Sequence, residues 1–174
     1  MNTDAQKRSP LQSALLIAIV LVLIAICGIG ITLTFSGGTV FAGKRPTNIG
    51  IQASGQLAPC PGTPNCVNSY SQNTQDKIEP LTYNSTPTQA IADLKTVIES
   101  MERTQIITES ENYLYAEFKS KLMGFVDDVE FLIEPNTQVI HVRSASRLGQ
   151  SDLGVNRQRI EMIRAKLSEL KSKA

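Results

Sequence analysis

Residues 125–135 read Phe-Val-Asp-Asp-Val-Glu-Phe-Leu-Ile-Glu-Pro, and residues 138–147 follow as Gln-Val-Ile-His-Val-Arg-Ser-Ala-Ser-Arg. A period of two runs through both stretches, the mark of strands that bury one face. In the first run Phe125, Asp127, Val129, Phe131 and Ile133 share a face, and Val126, Asp128, Glu130 and Leu132 share the other. In the second, Ile140 and Val142 lie opposite His141 and Arg143. Pro135-Asn136 between them is a turn signal, so the pair is expected to form an antiparallel hairpin. Matching the apolar faces sets Glu130 across from His141 and Asp128 across from Arg143. A two-residue shift pairs Glu130 with Arg143 instead, and the residues do not choose. If exposed, such cross-strand pairs contribute about 0.2–1 kcal/mol each.

Working outward, Thr104–Thr108 and Tyr113–Lys119 are strand-like runs joined by short links. Lys77–Tyr83 adds a short edge strand, since Pro80 bars a central place. Before the meander, Thr86 as N-cap, Pro87 at the first turn and Gln89 three residues on announce a helix. Its buried face is Ile91, Leu94, Val97, Ile98 and Met101. After the meander a second helix is expected from about Asn156 to Leu170, on the stripe Ile160, Ile163, Leu167 and Leu170. The soluble fold is therefore expected to be α+β: a four- to five-stranded antiparallel meander packed by two helices.

The candidate site lies at the end of the hairpin. Alternation puts Asp127 on the apolar face, where an unpaired carboxylate is costly. Arg147, Arg157 or backbone donors of the next loop are its expected partners. That loop, Ser144 to Arg157, is dense in hydrogen-bonding groups, and Asp152 or Asn156 can cap the helix after it. Arg157 and Arg159 fall in that helix's first turn, where cations oppose the macrodipole. Either Asp127 or Asp128 or an anionic ligand must favour them there. The candidate ligand- or partner-binding set is Asp127, Asp128, Glu130, Arg143, Arg147, Asp152, Asn156 and Arg157; the alternative is that these residues only brace the fold. Charge distribution suits bracing, with twelve acids against five bases in 76–134 and eight bases against three acids in 143–173.

Toward the N-terminus, Ala14 to Phe35 carries no charge and is long enough, at 1.5 Å per residue, to cross a hydrocarbon core of about 30 Å. It is expected to be a transmembrane helix or uncleaved signal anchor. Residues 1–13 would be cytoplasmic because Lys7 and Arg8 precede the helix. Cleavage after Val40-Phe41-Ala42 and lipidation at Cys27 are the alternatives, and each exports the domain. Residues 36–57 read as a flexible linker and 58–174 as the soluble domain. In Cys60-Pro-Gly-Thr-Pro-Asn-Cys66 the prolines and glycine bring the cysteines close. A disulfide, reduced thiols and thiol chemistry all remain open, although His141 is the sole histidine available as a partner. No metal or other cofactor is expected, and the near-neutral charge without an aromatic-basic stripe argues against nucleic acid.

The combination of CPGTPNCVNS, FVDDVEFLIEP and IHVRSASRLGQSDLGVNRQRIEMIR resembles the domain-of-unknown-function family 1499, over about residues 58–170. The resemblance implies an exported or membrane-associated setting, periplasmic or thylakoid-lumenal, and places Cys60, Asn65, Cys66, Ser144, Ser146 and Gly149 on motif positions beside the charged set. It implies no activity. The expected function is a non-enzymatic binding or assembly module, partnered by the membrane and by a membrane-protein complex or small anionic ligand. The rival is a hydrolase using paired carboxylates, Asp127 with Asp152 or Asp128 with Glu130.

Overall fold

The computed structural model describes residues 10–35 and 41–173, with side-chain surroundings given throughout except at 13, 27–35 and 173. Residues 1–9 of the expected cytoplasmic segment 1–13, the side chain of the lipidation candidate Cys27 and Val40 of the cleavage motif lie outside those descriptions. The chain divides into two compact units, Met1–Val40 and Phe41–Ala174. The first unit contains helix α1, Pro10–Phe35. Among the described residues no helix is long and apolar enough to cross a membrane. The expectation of a transmembrane helix over 14–35 is corrected accordingly.

The second unit is α+β. Its elements are β1 (Cys66–Asn68), β2 (Leu81–Thr82), α2 (Pro87–Glu99), β3 (Thr104–Glu109), β4 (Tyr113–Lys119), β5 (Val126–Glu134), β6 (Val139–Ser146) and α3 (Val155–Lys173). They build a six-stranded antiparallel sheet in the order β1-β6-β5-β4-β3, with β2 also on β6. The expected four- to five-stranded meander is thus one element short. The extra strand is β1, whose three residues pair with Arg143–Ala145. Three residues hemmed in by proline and glycine are too few to show alternation. Pro80 does what its missing N–H demands: pairing with β6 begins only after it, at Leu81.

Thr86 caps α2, its Oγ1 accepting from Gln89 N at 3.2 Å. Gln89's own side chain donates to Asp93 rather than closing a capping box. One sheet face packs Leu114, Ala116, Phe118, Val129, Phe131, Ile133, Ile140 and Val142 against Ile91, Leu94, Val97 and Ile98 of α2 and Ile160, Ile163 and Leu167 of α3. The opposite face carries Tyr113, Tyr115 and Leu132, covered by Leu57 and Ile49. Residues 41–57, read from composition as tether, therefore include chain laid on the sheet. Gly43, at φ +66°, comes so near that an added Cβ would sit 2.9 Å from Arg147 Cβ.

Candidate functional site

The hairpin register decides which charges meet. Glu130 pairs with Arg143, Leu132 with His141 and Asp128 with Ala145. Of the two alignments compatible with the sequence, this is the shifted one; the other would have placed Asp128 opposite Arg143. Because side chains alternate, the shared polar face then holds Asp128, Glu130, His141 and Arg143 together with Tyr113, Tyr115 and Glu117 of β4.

Two ion clusters occupy that face. In the first, fully buried Glu130 accepts from Tyr113 Oη at 2.8 Å, Gly50 N at 2.7 Å and Arg143 Nη1 at 3.0 Å. Arg143 is 3 % exposed, and its Nε finds no partner. In the second, Arg147 clamps Asp128 with Nε at 2.9 Å from Oδ2 and Nη2 at 2.6 Å from Oδ1. Its Nη2 also reaches Glu117 Oε1 at 2.5 Å. Tyr115 Oη donates to Asp128 at 2.6 Å and accepts from Arg147 at 3.2 Å. Arg45 closes the outer edge on Glu117. Such forked, charge-assisted bonds fix orientation as well as adding attraction.

The electrostatics follow from burial and pairing. Burial, reinforced by the neighbouring carboxylates Glu130 and Asp128, raises the phenol pKa values of Tyr113 and Tyr115 far above the usual tyrosine range. Burial alone would raise Glu117, but hydrogen bonds from Arg45, Arg147 and Tyr115 outweigh it and lower the carboxyl. A general acid at neutral pH needs the opposite shift. Burial lowers His141, against a smaller opposing pull from Glu134.

Asp127 points to the helix side. Its partner is Arg159 Nη2, whereas Arg147 is spent on Asp128 and Arg157 donates to Gln75 O at the surface. Expecting Arg147 or Arg157 there failed for lack of three-dimensional phase: only a residue one helical turn past the N-terminus of α3 reaches back over β5. Arg159 also binds Asn156 Oδ1 and Ser144 Oγ, and lies 4.9 Å from the Phe118 ring centre. Fully buried Asn156 donates to Asn65 O and Ser146 Oγ, and Asn65 in turn donates to Gly149 O. Asp152 caps α3, accepting from Gly154 N at 2.9 Å and Asn156 N at 2.8 Å. Cys60 and Cys66 form a disulfide, Cα–Cα 5.7 Å, so its loop presents Asn65 to this latch.

The structure brings together Asp128, Glu130, Arg143 and Arg147 on one face, and Asp127, Asp152 and Asn156 around α3 on the other. Arg157 joins neither. Composition could not have drawn attention to Tyr113, Tyr115, Glu117, Arg45 and Gly50; alternation in β4 was the available signal for the first three. Among the described residues no group of three or more His, Cys, Asp or Glu is placed to hold a metal ion. Ser69 Oγ lies 3.1 Å from His141 Nδ1, but the same oxygen accepts from Val142 N and donates toward Val142 O, and Tyr70 stacks on the imidazole. That hydroxyl is engaged as a strand latch.

The family described as "Protein of unknown function (DUF1499)" matches residues 56–167. The chain belongs to this family. No curated protein matches it. The matched span covers β1 to most of α3, so both polar clusters lie inside the DUF1499 domain, except for Arg45 and Gly50, which reach it from the preceding segment.

Proposed function

We propose that the DUF1499 domain of this chain is a non-enzymatic binding or assembly module of an oxidising compartment such as a periplasm or thylakoid lumen. Its partner is a membrane-protein complex or a small anionic ligand. Its Asp/Arg motif is the scaffold that shapes the domain. One observation carries this reading: every motif carboxylate is already matched by donors of its own chain. Glu130 has three, Asp128 has an arginine fork and a phenol, Asp127 has Arg159, and Asp152 caps a helix. A carboxylate pair for hydrolysis would instead share a cavity open to substrate. The Cys60–Cys66 disulfide supports the compartment, because such bonds persist where thiols are not kept reduced.

The test is turnover of chromogenic carboxylic esters, phosphate monoesters and glycosides by the wild-type chain, Asp128→Asn and Glu117→Gln. The expected result is no turnover by wild type above either variant. Turnover lost in Glu117→Gln, a side chain at the cluster's edge, with the circular dichroism spectrum of wild type retained, would overturn the scaffold reading in favour of the hydrolase.

A further inference from the structure

Outside the ion clusters, a cavity of ≈ 480 Å³ opens between the end of α2, the end of β4 and α3. We infer that it is a binding site for a single-chain amphiphilic anion, a small ligand with one anionic head and one short apolar tail. The inference rests on the reading above, that the domain works through its surface and not through its buried charges.

Three observations converge on that ligand. The volume lies in the range of small-molecule sites, roughly 300–1,000 Å³. The α3 wall is one helical face, with Val155, Arg159, Met162 and Lys166 at spacings of four, three and four. Its apolar members are left half open to solvent, Val155 at 46 % and Met162 at 52 % exposure, and buried Phe118 and half-buried Met101 stand with them in the lining. Methionines at such a wall adapt to tails of varied shape.

The charge of the lining is one-sided. Arg103, Lys119, Lys121, Arg159 and Lys166 face a single acid, Glu102. Arg159 is neutralised by Asp127 and Arg103 by Glu102. Among the described residues, the side chains of Lys121 and Lys166 carry no ion pair or hydrogen bond. An anionic head is therefore met by Lys121 and Lys166, while the tail lies along Met101, Phe118 and Met162. An inorganic anion alone would leave the apolar wall wet, and a cationic amphiphile would meet the wrong charge.

The experiment uses the full chain carrying 13C-methyl methionine, titrated with octyl phosphate below its micellar concentration. The Met101 and Met162 methyl signals are expected to shift together and saturate, while Met123, outside the lining, stays in place. Lys121→Glu/Lys166→Glu is expected to raise the Kd at least tenfold with its amide spectrum otherwise unchanged. Inorganic phosphate and octyltrimethylammonium are expected to move neither methyl to saturation. Stationary Met101 and Met162 signals, equal binding of octyltrimethylammonium, or inorganic phosphate binding as tightly as octyl phosphate would each overturn the inference. None of those outcomes touches the buried clusters, whose scaffold role is read from stability and turnover.

Discussion

Replacing Glu130 by Gln removes one charge from the interior and almost no volume. The amide keeps an acceptor oxygen for Tyr113 and Gly50, which stand 2.8 and 2.7 Å from the native carboxylate. What is lost is the anion 3.0 Å from Arg143, a side chain only 4 % exposed whose Nε already lacks a partner. Stranding a buried charge in this way costs about 3–5 kcal/mol, a large part of the 5–15 kcal/mol that typically holds a domain together. Arg143→Met strands the carboxylate and is expected to cost a similar amount. The double variant removes both charges, so the stranding penalty disappears and its stability returns to within about 1–2 kcal/mol of wild type. Urea unfolding followed by circular dichroism measures the cycle, with midpoints compared at constant m-value. Either single variant lying within about 1 kcal/mol of wild type would refute the reasoning. So would a double-variant cost equal to the sum of the singles.

Other perturbations test neighbouring parts of the fold. Tyr113 and Tyr115 have pKa values above the unfolded value of 10.0, so the folded chain holds their protons longer and their contribution is lost as pH rises past about 10; ultraviolet titration should show their phenolate absorbance appearing only with unfolding, and Tyr113→Phe should reduce that late step. His141 is depressed below 6.5, so its contribution is present above that pH and falls away in acid, and His141→Gln should flatten the change in stability just below pH 6.5. Cys60→Ser/Cys66→Ser should cost about 2–3 kcal/mol, and maleimide labelling of the unfolded, unreduced chain should mark one of its 3 cysteines, and all of them once a reductant is added. Gly43→Ala meets both a left-handed φ and the Arg147 side chain, and a melting temperature equal to wild type would contradict the close approach seen there.

Much of the sheet and both helices packed on it were legible because their periodicity is local. Thr86 and Pro87 announce α2, and the stripe of Ile160, Ile163 and Leu167 announces α3. The register of β5 on β6 was not, because both alignments bury the same apolar residues and differ only in which charges meet. Strand β1 was hidden by its brevity. Segment 41–57 carries no periodicity, yet Ile49, Gly50 and Leu57 lie on the polar face; chain that covers a sheet by single contacts has no pattern to read. The motif charges were found from sequence, with Glu130–Arg143 and an Asp127 or Asp128 partner for Arg159 among the alternatives, but which alternative holds was not. Asp127 waits for Arg159 and Asp128 for Arg147, choices set by the phase of α3 and the reach of the β6–α3 loop, neither of which spacing alone determines.

Accessibility of the arginines tests the sealed network most directly. Brief treatment of the native chain with phenylglyoxal, read by mass spectrometry, should modify exposed Arg103 and leave Arg143 and Arg147, 4 % and 6 % exposed, unreacted until the chain is unfolded. Modification of Arg147 at the rate of Arg103 would mean that its guanidinium faces solvent, ready for a ligand, and would contradict the scaffold.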